Sequence, residues 1–258
     1  LDNMALSCDV DTNKPGLQLY HPCSLDLRPS KSTHLVDLTP FSELMSLNAV
    51  HIINPIIYPS SLTSLCIRES SEALMDCSNL KRLECLHVRH ALPTTLTALT
   101  VNVVQHPLGV LPSLRSLCQL SGTHTTFEGL TSLEKFTCNH PVTLPSTLGL
   151  TSLSLSNGRC DVLDLSVYSR LRSLSLVQFN VSNLMLPTTV HEICIERMSY
   201  VKPLQMCNCL ELKHLNLINS KLTVELPPSI KHVGLDNSQV QIVDKTNSLD
   251  VEQKLDCT

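Results

Sequence analysis

The sequence predicts an α/β repeat solenoid: a horseshoe with a parallel sheet on its concave side and turns or extended chain, with little helix, on its convex side. Three observations lead there. Between Cys209 and Leu235, Leu212, Leu215 and Leu217 are spaced i, i+3, i+5, and Ile230, Val233 and Leu235 repeat that spacing eighteen residues later. A helix would place apolar residues at i, i+3, i+4 and i+7, whereas the last step here alternates, as in a short strand with two apolar side chains on one face. The same unit recurs along most of the 258 residues with a mean period of about 18, which leaves no room for a full return helix in every unit. The composition is 42% hydrophobic but only 3% aromatic, with no Trp, so the core must be aliphatic. One such unit cannot bury its own apolar face, but stacked copies can.

Residues 1–36 are the least regular part. Leu17-Gln18-Leu19 and Leu25-Asp26-Leu27 read as strand pairs, set apart by turns at Pro15, Gly16, Pro22 and Pro29. Over 37–240 the array can be counted, with pairs at Val50/Ile52, Leu65/Ile67, Leu86/Val88, Leu99/Val101, a blurred one across Leu117 to Leu120, and Phe136/Cys138. Leu153/Leu155, Leu174/Leu176, Ile193/Ile195, Leu215/Leu217 and Val233/Leu235 complete the series, and 241–258 reads as a tail or partial cap.

Two kinds of unit occur. One enters its strand through proline, as in PSSLTSLCI (59–67), PTTLTALTV (93–101), PTTVHEICI (187–195) and PPSIKHVGL (227–235), with PSTLGLTSLSL (145–155) two residues longer. Proline fixes φ and withdraws an N–H, which suits an extended segment outside the ladder. The other enters through a larger side chain, at Phe41, Cys77, Phe127, Tyr168 and Cys209. In the first half the apolar period of this kind runs one step further, through Leu44, Leu47, Val50 and Ile52, which leaves its register open by three residues. The approaches 68–76 and 201–208 are long enough for one helical turn.

These LxxLxxLxL ladders resemble leucine-rich repeats. The LPxSLxxLxV form of LPTTLTALTV and LPPSIKHVGL resembles the short proline-containing class found in bacterial effectors and some protist arrays. The resemblance covers roughly 37–240 and implies the leucine-rich repeat horseshoe, with a period below that family's usual 20–29 residues. The asparagine that follows the strand in this family stands at Asn102, Asn157 and Asn219 but is missing from many units, so a broken asparagine ladder is expected.

The chain carries 16% charged residues and a formal net charge of −4, which argues against a nucleic-acid surface and against polybasic membrane attachment. No apolar run reaches the roughly 18 residues of a membrane span. The chain opens at Leu1 without a signal-like stretch, and Leu1-Asp2-Asn3 repeats Leu235-Asp236-Asn237, so it reads as part of a longer one. Twelve scattered cysteines suit free thiols in a reducing, cytoplasmic setting, with an extracellular one as the alternative if a signal peptide has been removed. No catalytic residue, cofactor site or metal site is indicated. The seven glycines form no phosphate loop, His191-Glu192 lacks a second His at zinc-protease spacing, Cys207-Asn208-Cys209 has no partner pair, and the single sequon at Asn180 is a chance-level match.

What remains is the exposed strand face, because strand side chains alternate. Between the ladder pairs the column is small and uncharged, with Ser175, Cys194, Asn216 and Gly234 toward the C-terminus. Charge gathers at its edges, at Glu192, Glu196, Arg197, Lys213, His214, Lys231, His232 and Asp236, and His214 and His232 are expected to be neighbours. The expectation is a non-enzymatic leucine-rich repeat scaffold whose partner is another protein, bound on the concave face. The alternatives are a secreted or cell-surface recognition ectodomain and the substrate-recognition part of a larger enzyme such as a ubiquitin ligase.

Overall fold

The computed structural model describes residues 5–9, 23–28, 35–50, 55–70, 72–104, 108–121, 127–140, 143–198, 203–243 and 250–254. The chain divides into two compact units, Leu1–Ser132 and Leu133–Thr258. In the first, the parallel strands Ala5–Asp9, Ser24–Arg28, Ser46–Ala49, Ser64–Glu69, Arg82–Val88, Ala98–Val104 and Ser116–Ser121 pair in sequence order. In the second, Lys135–Cys138, Ser152–Ser156, Ser173–Val177, Glu192–Glu196, His214–Ile218, His232–Asp236 and Asp250–Lys254 do the same. Each is a parallel-strand solenoid.

One turn builds both kinds of unit. The carbonyl of Pro59, Pro93 or Pro227 accepts the N–H three residues on, at Leu62, Leu96 or Ile230, and the carbonyls of Phe41, Cys77, Tyr168 and Cys209 do the same for Leu44, Leu80, Leu171 and Leu212. Proline and large side chain therefore occupy one structural position. The strand follows at fixed distance, and its pair of aliphatic side chains stacks on the pair of the next unit. Leu174, Ile193, Leu215 and Val233 lie in register and are at most 1% exposed.

That turn corrects three expected strand pairs. The Phe41 turn sets Leu47 and Ala49, in register with Leu65 and Ile67, rather than Val50/Ile52; Val50 is half-buried and Ile52 lies outside the described residues. The Cys77 turn sets Leu83 and Cys85 rather than Leu86/Val88, and Leu86 is 39% exposed. The apolar spacing could not choose between these registers, because an apolar residue recurs three positions later in each. The blurred pair is Leu117 and Gln119, with Leu120 exposed. Gln119 is fully buried in an aliphatic column, its Nε2 donating to the Ser121 carbonyl at 3.3 Å, which is why the apolar pattern fades there.

The outer side is extended. Val36–Asp37 pairs with Ile56–Ile57 in the first unit. In the second, Arg159–Asp164 pairs with Asn180–Met185, and Leu204–Gln205, Lys221–Glu225 and Gln239–Val243 form a three-stranded ribbon. The 68–76 approach does form one helical turn, a 3-10 helix over Glu72–Asp76, the only helix among the described residues. The 201–208 approach instead places its strand at Leu204–Gln205. The expected pair Leu17/Leu19 lies outside the described residues, whereas Leu25 and Leu27 are buried on their strand.

Candidate functional site

The face opposite the aliphatic ladder is built in columns, one residue per strand. In the second unit the middle column runs Ser154, Ser175, Cys194, Asn216 and Gly234 in register. Ser175 and Cys194 are half-buried and Asn216 is exposed. A Cβ on Gly234 would meet the Asn216 Oδ1 at 2.6 Å, so the Asn216 amide lies across the glycine. Burial pushes the Cys194 thiol up from its ordinary value, and Glu196 and Glu192 add to the shift. It therefore stays protonated, a poor nucleophile.

One step toward the strand starts, Glu192, His214 and His232 stand side by side and exposed. The two imidazoles stack with ring centroids 5.1 Å apart and planes 7° from parallel. A further step out lies a column of basic residues whose backbone is held by one repeated pattern. The carbonyls of Arg172, His191 and Lys213 each accept two N–H groups from the next strand's start, those of His191/Glu192, Lys213/His214 and Lys231/His232. Arg172 donates to Glu211 and to the Thr189 carbonyl, and His191 Nε2 lies 3.5 Å from Glu211. Among the described residues Lys213 and Lys231 have no such acid.

At the strand ends, Glu196 and Asp236 are half-buried with Ile218 in register between them. Arg197 is exposed, its Nε 3.3 Å from Glu196, and its backbone is left-handed at φ 53°. Asn157, Gln178, Asn219 and Asn237 take the same conformation. Asn102, expected among these turn residues, lies inside the Ala98–Val104 strand, one residue short of that register. Asn237 belongs there, and its Nδ2 donates to Asn219 Oδ1 at 2.8 Å.

The structure thus brings together Ser175, Cys194 and Asn216 in one row and Glu192, His214 and His232 in another, with Lys231 beside them. It keeps Glu196 and Asp236 one strand apart. Sequence reasoning missed Glu211, which pairs with Arg172 and lies 3.5 Å from His191 Nε2, and Ile218, an apolar residue between Glu196 and Asp236. Ile218 was readable from its place after Leu217; Glu211 sits in a turn, where no periodicity marks it. Among the described residues no three His, Cys, Asp or Glu side chains come together as metal ligands, and no helix is long and apolar enough to cross a membrane. A cleft of 340 Å³ on the outer side is lined by Cys160, Asp164, Tyr168 and Phe179 among others. Burial, and then Asp161, pushes the Cys160 thiol up, and the Tyr168 hydroxyl donates to the Leu144 carbonyl at 3.0 Å.

No protein-family model matches the chain, and no curated protein matches it either. In structure it is similar to the functional domain of InlJ from Listeria monocytogenes, whose description includes a cysteine ladder. The identity is 18% and the TM-score 0.50, over 92% of this chain and 68% of that one. The fold is a leucine-rich repeat solenoid. A leucine-rich repeat protein from Bacteroides ovatus matches over 89% of this chain and 68% of its own, at 11% identity and a TM-score of 0.26. Among the described residues the middle-column cysteines do not stack on one another: Cys66 lies between Asn48 and Glu84, Cys118 is in register with Thr100, and Cys194 lies between Ser175 and Asn216.

Proposed function

We propose that the chain is a non-enzymatic leucine-rich repeat scaffold, of the short proline-containing class, that binds another protein through the ladder face of its second unit. The observation that carries this reading is the small row Ser175, Cys194, Asn216 and Gly234, with Glu192, His214 and His232 along one border and Glu196 and Asp236 on the other. Small side chains let a partner approach the sheet closely. Charged borders set its orientation and suppress wrong partners more than they add raw affinity. Among the described residues Cys23, Cys66, Cys85, Cys118, Cys160, Cys194, Cys207 and Cys209 carry free thiols, which favours a reducing cytoplasmic setting.

The test is a combined reversal, Glu196→Lys, Arg197→Glu and Lys231→Glu, against a control on the outer strands, Arg159→Glu and Lys221→Glu. All five positions lie on strands or turns away from the aliphatic core, so each change should alter folding by no more than about 0.5 kcal/mol. A protein retained by the wild-type chain from cells that express it should be lost by the ladder-face variant and kept by the control. Retention by the ladder-face variant together with loss by the control would overturn the reading.

A further inference from the structure

We propose that the N-terminal edge of the last ladder strands docks an acidic segment of a partner protein, and holds it most tightly in mild acid. The inference rests on the protein-binding reading above and names the partner's chemistry. Its first support is a contrast within one column. Arg172 pairs with Glu211, and His191 Nε2 lies 3.5 Å from the same carboxylate, whereas Lys213 and Lys231, the next two positions, have no acid within pairing distance among the described residues. These lysines start adjacent strands, with the Lys213 carbonyl accepting the Lys231 N–H at 3.0 Å. Like charges held side by side across strands repel, and an incoming carboxylate relieves that repulsion.

The second support is the histidine stack beside them. His214 and His232 follow the two lysines directly, exposed and 5.1 Å apart. The charged and titratable groups around the stack are few. Glu192 is in register with His214 on one side and Asp250 with His232 on the other, while Glu252 pairs with Gly234 and Cys194 with Asn216. His191 directly precedes the neighbouring strand, and Glu211 lies in the turn leading into the strand of His214. Protonating the stack adds two positive charges among these groups. Imidazole is the side chain that changes charge between about pH 5 and 8. Two stacked imidazolium rings repel unless an anion bridges them, so proton uptake and carboxylate docking favour each other reciprocally. The Asn216 amide, lying over Gly234, keeps the floor next to the rings low enough for a partner's main chain.

A dye-labelled oligoaspartate peptide, titrated against the whole chain and read by fluorescence anisotropy, tests this. Binding should be about ten-fold tighter at about pH 5.5 than at about pH 7.5, and should weaken with added salt. Lys213→Gln with Lys231→Gln should abolish it at both pH values. His214→Gln with His232→Gln should leave weak binding that no longer depends on pH. All four residues are exposed, so melting curves should match the wild type and folding does not confound the result. No binding at the lower pH, pH-independent binding by the wild type, or pH dependence that survives in the histidine variant overturns the inference. If oligoaspartate fails while the Glu196/Arg197/Lys231 reversal still abolishes partner retention, only the acidic-partner inference falls.

Discussion

The two units use one ladder and leave it differently. In the first, the strands Arg82–Val88 and Ala98–Val104 run seven residues, and Glu69, His87, Val103 and Ser121, two positions past the aliphatic pair, stay in register in the sheet. In the second, strands end after five residues, and the chain turns left-handed at that same position, at Asn157, Gln178, Arg197, Asn219 and Asn237. After the turn it forms the outer strands. Among the described residues, each repeat that turns left-handed at this position goes on to an outer strand. Asparagine tolerates the left-handed region, and β-branched valine does not. Gln178 and Arg197 have no such preference, and their turns are imposed by neighbours. The N–H groups of Asn157, Gln178, Arg197 and Asn219 donate in sequence to the carbonyls of Val177, Glu196, Ile218 and Asp236, each at the end of the next strand. Two willing asparagines at the C-terminal end of this series and one at its start constrain the unwilling pair between them.

The largest expected effect concerns what the units share. Truncating Leu215 in the second unit or Leu83 in the first, both buried in the ladder, should cost about 2–5 kcal/mol in chemical denaturation. Leu86→Ala should cost far less, and a large loss there would restore the rejected register. The next concerns the left-handed turn after the ladder pair, found among the described residues in the second unit. A Cβ on Gly158, directly after Asn157, would lie 2.1 Å from the Phe179 ring, so Gly158→Ala should destabilise by about 1–3 kcal/mol through overpacking. A neutral substitution would mean the outer strands are loosely held. Smaller still is the imposed strain itself. Gln178→Gly should raise stability by about 1 kcal/mol by relieving the left-handed turn, whereas Val103→Gly, at the matching position of the first unit, should lower it by about as much. Equal signs would erase the distinction between the units.

At neutral pH the thiols should leave stability unchanged, and the exposed Cys207 should react first with a thiol reagent. Burial pushes the Cys85 thiol in the first unit up to about 12 and the Cys209 thiol in the second up to about 11. In the unfolded chain these groups ionise near 9, so their contribution is present below that pH. It should be lost as pH rises from about 9 through those folded values, readable as a falling melting temperature.

The register of the second unit was legible because Leu, Ile and Val fill both ladder positions from Leu153 to Leu235. In the first unit Ala49, Cys85 and Gln119 take the second position. Apolar residues at Ile52, Val88 and Leu120 then offered a competing pattern that only the turn hydrogen bonds decide. The candidate face was legible as a row of small residues bordered by charge, since alternation alone dictates it. Its pairing was not, because the Glu211 contact to Arg172 and His191 comes from a turn, and among the described residues that contact stops at His191 and does not extend to Lys213.

Hydrogen–deuterium exchange of the chain with and without a protein that it retains tests the placement of that partner most directly. The account predicts added protection over 191–197, 213–219 and 231–237, and none over the outer strands 159–164 and 180–185. Protection confined to the outer strands, with the ladder segments unchanged, would contradict it.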